Sequence, residues 1–205
     1  MKKDQKKRDE KYRSRAYTHG NDPNPFLKKH IGLLHRGKAL DIAAGEGQNA
    51  VFLAQQGFRV EAVDISPIGL AKARKLASAW GVKIKTVQAD LDDYEIETGR
   101  YDLITNFYFL DRRLFPKIRK GLKKAGKVVF ETYTTDHPSA SGKGQMNPKY
   151  LLKPNELLER FRDFRILYYR EGVVREKGRR KAIASLIAEK TDSRSKTKGL
   201  KTTLE

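Results

Sequence analysis

Three acidic residues, Asp41, Asp64 and Asp90, carry the chemistry that is easiest to read in this chain. Each stands at or just past the end of an apolar run, where a strand would deliver it to the edge of a sheet. Between the first two lies the small, Gly-rich turn Ala43-Ala44-Gly45-Glu46-Gly47, and an amphipathic helix starts near Asn49. A strand, turn and helix of this kind let a ligand lie against bare backbone, the usual seat of a nucleotide-like cofactor. Asp64 at a strand end can accept two hydrogen bonds from ribose hydroxyls. Asp90 can accept from an exocyclic amine while Leu91 packs on a base. Any one of these acids could be a helix cap or a loop residue; three at successive strand ends form a pattern.

Gly45-Glu-Gly-Gln-Asn-Ala50 also fits G-x-G-x-x-A, the dinucleotide fingerprint, so a nicotinamide-dependent oxidoreductase is the rival reading. Asp41 argues against it. The fingerprint brings a pyrophosphate to the amino terminus of the helix, and an acid closing the first strand would repel it. A phosphate-free cofactor with a positive amino-acid portion suits Asp41 better.

The elements that must position these residues alternate along the chain. The patterning predicts strands at 38–43, 59–65, 83–89, 101–108 and 127–134, and helices at 48–56, 67–80, 112–123 and 154–162. Ser66-Pro67 supplies a cap and first-turn pair, while Gly81 and Gly126 follow the second and third helices. Serial βα units with short loops predict a parallel sheet covered on both faces. Phe164–Val174 and Lys181–Lys190 are strand-like and separated by six residues, too few for a crossover helix, so they predict an antiparallel hairpin. The expected fold class is therefore α/β: a doubly wound, mostly parallel seven-stranded sheet with a C-terminal antiparallel hairpin. That hairpin is also foreign to the usual dinucleotide topology. Phe26-Leu27 and Ile31-Leu33-Leu34 read as one face of a short helix after the turn cluster Asn21-Asp-Pro-Asn-Pro25.

Composition narrows the class. At 205 residues the chain reads as one domain, residues 16–190, large enough to bury its own core. The absence of cysteine excludes a Cys nucleophile and thiolate-zinc sites and suits a reducing cytoplasm. His19, His30, His35 and His137 show no ligand spacing, so no metal is expected. Neither a signal peptide nor a membrane-spanning run is visible, which predicts a cytoplasmic protein without a membrane partner. The formal charge is +19. Residues 1–15 hold eight Lys and Arg against three acids and read as a basic mobile arm or a solvated first helix, and 191–205 as a disordered tail. Such a charge is either a solvated surface or a footprint for RNA.

Asp41-Ile-Ala-Ala-Gly-Glu-Gly47 resembles the D/E-x-G-x-G-x-G motif of the class I S-adenosylmethionine-dependent methyltransferases. Asp64, Asp90-Leu91 and Tyr101-Asp-Leu-Ile-Thr-Asn106 stand where that family's next motifs stand, and Lys124-Ala-Gly-Lys-Val-Val-Phe130 is similar to its helix, glycine and fifth strand. Asp22-Pro-Asn-Pro-Phe26, Phe130-Glu-Thr-Tyr133 and Leu152-Lys-Pro-Asn-Glu-Leu-Leu158 look closest to small proteins related to the tellurite-resistance methyltransferase. The resemblance implies a Rossmann-like methyltransferase fold with S-adenosyl-L-methionine as cofactor, S-adenosyl-L-homocysteine as product and no metal. It implies that Asp41 orients the loop or meets the cofactor's amino group. Ala43, Gly45 and Gly47 would admit the methionine portion, with Asn49 opening the next helix. Asp64 would hold the ribose with Ile65 against the adenine, which Asp90 and Leu91 frame, and Asn106 would face both cofactor and acceptor. Ala43 departs from the motif, where a glycine is usual.

The methyl acceptor is expected to meet residues past the strand ends. Tyr108, Tyr133 and His137, together with Asn106, are the candidates, followed by Tyr17, Phe107, Arg170 and Arg175. Residues 134–152, rich in Ser, Gly and Pro, read as a substrate loop. A small-molecule acceptor is expected, drawn in by positive charge where it is anionic. The alternative acceptor is RNA or a nucleic-acid-associated protein gripped by the basic arm. Asn106-Phe-Tyr-Phe109 is not the Asn-Pro-Pro-Tyr type used on base amines, and without cysteine the covalent route to cytosine carbon-5 is closed. A non-catalytic cofactor-binding protein is a third reading, weakened by the intact cofactor motifs.

Overall fold

The computed structural model describes residues 2–18, 20–140, 146–176 and 179–191. Its helices are α1 (Lys2–Tyr12), α2 (Pro25–Lys29), α3 (Gln48–Gln55), α4 (Pro67–Ala79), α5 (Leu114–Gly121) and α6 (Glu156–Arg160). Its strands are β1 (Lys38–Ile42), β2 (Arg59–Asp64), β3 (Lys85–Gln88), β4 (Tyr101–Phe107), β5 (Leu122–Tyr133), β6 (Arg165–Glu176) and β7 (Arg179–Glu189). They form one sheet in the order β3-β2-β1-β4-β5-β7-β6, parallel through β5 and antiparallel at β7 and β6. The seven strands and the terminal hairpin are those the patterning predicts.

Alternation along the buried strands sorts the core into two layers. Leu40, Ile42, Ile104 and Val128 pack with Leu114, Phe115 and Ile118 of α5 and Leu157 and Phe161 at α6. Ala39, Ala62, Leu103 and Val129 face Ala50 and Leu53 of α3 and Leu27 of α2. Strand order reverses between β1 and β4, because β1 lies between β2 and β4. The crevice at the carboxyl ends of these two strands is where a doubly wound sheet binds its ligand.

Several boundaries differ from expectation, each for a physical reason. The arm takes its helical alternative: α1 docks through Tyr12, which is buried, and through Asp9, which accepts a 2.5 Å hydrogen bond from the Ser66 hydroxyl. The helix expected at 112–123 stops at Gly121, and β5 starts at Leu122. Register then jumps from Tyr101↔Leu122 to Leu103↔Lys127, with Ala125 left-handed at φ +58°. Gly126 therefore lies in this bulge rather than at a helix end. A Cβ there would meet the Lys123 and Tyr101 carbonyl oxygens at 2.9 and 3.0 Å. The apolar run expected as one helix at 26–34 divides into α2 and the 3-10 turn Ile31–Leu33. The third strand ends at Gln88, which leaves Asp90 in the turn beyond it. The tail 192–205 and residues 141–145 of the expected substrate loop lie outside the described residues, as does His19.

Candidate active site

Parallel pairing brings the predicted residues to one edge. Asp41 pairs in register with Thr105, and Ile42 with Asn106. Asp41 is 2% exposed; its Oδ1 accepts the Thr105 hydroxyl at 2.7 Å, and among the described residues its Oδ2 has no partner of ordinary geometry, the Ala50 N–H of α3 favouring the charged carboxylate. Burial pushes its pKa up to about 7, with the nearby Asp64 charge acting in the same direction. Asn106 is fully buried, and among the described residues neither its Oδ1 nor its Nδ2 has a partner. Buried polar groups are nearly always satisfied, so orphaned atoms on adjacent strand ends are an unusual feature.

The loop between β1 and α3 is held in left-handed backbone at Ala43 (φ +53°), Gly45 (φ +55°) and Gly47 (φ +81°). Glycine takes this conformation freely, whereas Ala43 is strained by it. Glycine at 47 has a second cause: a Cβ there would collide with Ala73 Cβ of α4. Asp64 anchors the loop. Its Oδ2 accepts the Gly45 N–H at 2.7 Å, its Oδ1 accepts the Ser66 N–H at 2.8 Å, and burial raises its pKa. The Ile65 N–H adds to this support, and Asp64 is 5% exposed. Ile65 is half-buried beside it. Asn49 is half-buried at the first turn of α3, and its Oδ1 accepts the Asn24 N–H at 2.8 Å.

The residues expected at the adenine lie just past the end of β3. Asp90 is half-buried, and its Oδ1 accepts the Asp92 N–H at 3.1 Å in a turn. Leu91 packs into the main core rather than lying open at the edge.

Past the ends of β4 and β5 the acceptor candidates do meet. Tyr108 and Tyr133 rings lie 4.9 Å apart, and Tyr133 meets His137 edge-on at 4.7 Å. Lys181 of β7 stands 5.6 Å over the Tyr108 ring. Tyr108 is left-handed at φ +54°, a strained state for an aromatic residue and of the kind that collects at functional sites. His137 Nδ1 accepts the Ser139 N–H at 3.1 Å, so the neutral ring carries its hydrogen on Nε2. Burial, then the Lys181 charge, lowers its pKa. Other candidates sit elsewhere. The Tyr17 hydroxyl donates to the Lys72 carbonyl, Phe107 is core, and Arg170 and Arg175 are exposed on the edge strand β6.

Sequence reasoning missed four contributors. Glu131 accepts the Tyr108 hydroxyl and is hydrogen-bonded in turn by Asn24 and Ser185; in the sequence Glu131 is an acid closing the apolar run Val128-Val-Phe-Glu131, in a segment noted for its resemblance but given no role. Glu46 is buried in the loop, where it meets Lys72 Nζ at 2.6 Å and accepts the Thr18 N–H at 2.8 Å. Among the described residues no group of acids and histidines could hold a metal ion, and no helix is long and apolar enough to cross a membrane.

Residues 39–129 match the family model described as a methyltransferase domain. Over that stretch the chain is similar to methyltransferase domains. A protein of Geobacillus sp. (strain WCH70) named as a methyltransferase is 35% identical over 112 residues, 49% of this chain and 45% of its own. TehB of Haemophilus influenzae, named as an S-adenosyl-L-methionine-dependent methyltransferase, is 27% identical over 145 residues, 66% of this chain and 49% of its own. The chain thus spans about half the length of these curated relatives. The crystal structure of TehB superposes with a TM-score of 0.71 at 20% identity, covering 91% of this chain and 67% of TehB. The protein that converts a disulfide bond into a thioacetal group during echinomycin biosynthesis gives 0.66 at 20% identity, covering 85% and 84%. These likenesses identify the methyltransferase fold.

Proposed function

We propose that the protein binds S-adenosyl-L-methionine at the β1–β4 crevice and transfers its methyl group to a small-molecule acceptor. The observation that carries this reading is the pair of orphaned buried groups, Asp41 Oδ2 and the Asn106 amide, on neighbouring strand ends beside the left-handed loop. An acceptor and a double-ended amide fit the ammonium and carboxylate of an amino-acid portion. Asp64 would hold the ribose, with Ile65 beside the adenine and Asp90 at its rim. The cofactor, when bound, supplies a methyl carbon already activated by a sulfonium, so the chain must chiefly align the acceptor and exclude water.

Tyr108, Tyr133 and His137 would form the wall against which the acceptor lies. With its hydrogen on Nε2, neutral His137 is a donor to the acceptor rather than a base. Lys181 and the overall charge favour an acceptor that is anionic or carries an anionic group. The echinomycin protein offers a precedent on this fold for a small sulfur-bearing acceptor.

Titration calorimetry with S-adenosylmethionine tests the donor assignment. Saturable binding is expected, and Asp64→Ala should weaken it at least about tenfold, as loss of a charged contact costs about 1.5–3 kcal/mol. A wild-type chain that takes up no heat would sink the assignment. For the acceptor, transfer to a panel of thiols, amines, carboxylates and metalloid oxyanions should yield a methylated product. RNA binding abolished by removing residues 1–15, with methylated RNA as product, would replace the small acceptor.

A further inference from the structure

Glu131 lies near the carboxyl end of β5 and is 4% exposed. Its Oε1 accepts the Asn24 Nδ2–H at 2.8 Å and the Tyr108 hydroxyl at 3.0 Å, while its Oε2 accepts the Ser185 hydroxyl at 2.6 Å. Among the described residues no cation forms an ion pair with it. A carboxylate buried without a counter-charge is expensive, and three donors converging on it are what make the arrangement tolerable.

The hydrogen bonds have a direction. Asn24 Oδ1 accepts the Phe26 N–H at 2.7 Å, which leaves the Nδ2 end for Glu131. The Asn24 backbone N–H donates to Asn49 Oδ1 at 2.8 Å, at the first turn of the helix that follows the left-handed loop. A continuous chain, Asn49–Asn24–Glu131–Tyr108, therefore runs from the cofactor loop to the acceptor aromatics. Glu131 also grips Tyr108 twice, since its carbonyl accepts the Tyr108 N–H at 2.8 Å. Residues in strained backbone persist only where their surroundings over-determine them, and Glu131 supplies two of the contacts that do so.

We propose that Glu131 is a positioning residue that couples the two halves of the site, so that the state of the acceptor wall at Tyr108 changes the affinity of the donor loop at Asn49. The inference rests on the donor reading of the preceding subsection. A carboxylate serving only the fold would stabilise the edge without linking the two sides. One that transmits makes their substitutions non-additive.

The test is a double-mutant cycle on S-adenosylmethionine affinity, measured by calorimetry with the full chain. Tyr108→Phe, Asn49→Ala and the double variant are compared, first with Glu131 present and then with Glu131→Gln. With Glu131 present, the double variant should depart from the product of the single effects by at least about threefold. With Glu131→Gln the effects should multiply. Should Glu131→Gln not fold, Asn24→Ser breaks the chain at its middle and keeps an oxygen to cap α2, and the coupling should vanish there too. Independent effects with Glu131 present, or equal coupling in both backgrounds, would overturn the inference while leaving the donor reading intact. Absence of donor binding to the wild-type chain would overturn both.

Discussion

Burial holds Asp41 near a pKa of about 7, so its charge changes across neutral pH. The folded value lies above that of a free carboxyl, so the unfolded chain loses this proton first as pH rises. Asp41 therefore favours the fold most at low pH, and this contribution is lost as pH rises towards about 7. Thermal melts should show wild type losing stability relative to Asp41→Asn between about pH 4 and 7. Donor binding should respond oppositely: if ionised Asp41 receives the donor's ammonium group, wild-type affinity rises through about pH 7 and that of Asp41→Asn stays flat. Ala43 allows a test of strain. Its left-handed backbone costs about 1–2 kcal/mol, part of which Ala43→Gly recovers against the freer unfolded chain. The melting temperature of Ala43→Gly should rise by about 1–3 °C. Asp41, Asp64 and the loop were legible in the sequence because a strand end and a glycine pattern are local signals. Glu131 was not, because its donors Asn24 and Ser185 lie 107 and 54 residues away. Nor was the inward turn of Leu91, which depends on where the short strand β3 stops.

Helix α1 lies across the loop and α4. A Cβ on Gly45 would sit 2.8 Å from the Tyr12 hydroxyl, and one on Gly69 would sit 3.1 Å from the Tyr12 ring. These two glycines make the seat for Tyr12. Tyr12→Ala should loosen α1 so that trypsin cuts after Lys6, Lys7, Arg8 or Lys11, with initial cleavage about tenfold faster if about 1.4 kcal/mol of docking is lost. Unchanged cleavage would mean that the seat contributes nothing. Glu46 joins the same region from below, since its buried carboxylate holds Lys72 of α4 and the Thr18 N–H. Removing one member of a buried pair strands the other, so Glu46→Ala should cost about 3 kcal/mol and lower the melting temperature by roughly 6–12 °C. The parallel strands were legible from their apolar runs and caps. The docking of α1 was not, because its eleven residues are almost all charged and the contacts that seat it come from residues far along the chain.

Across the whole molecule the charge of +19 and the sheet topology act separately. Charge sets how the protein meets polyanions. Any association with RNA should weaken steeply with salt, the slope of log K against log salt giving the number of phosphates met. Filter binding between about 50 and 200 mM salt reads that slope, and removal of residues 1–15 should shallow it if the arm supplies the contacts. The parallel sheet and its antiparallel close were legible because serial βα units favour parallel pairing and the short link after Val174 forces an antiparallel return, whereas the strand order came from the structure. That return, where β7 runs back beside β5, also divides the protein along its length. The strand-edge residues proposed for the donor fall between 41 and 106, whereas Tyr108, Glu131, Tyr133, His137, Lys181 and Ser185 all follow. Asn24 reaches across from the amino-terminal side to Glu131. During synthesis the donor half leaves the ribosome complete before its counterpart exists. In descent, such a division would let the later half be rewritten for a new acceptor while the earlier half is kept, with Asn24 and Asn106 among the positions that must stay compatible with both.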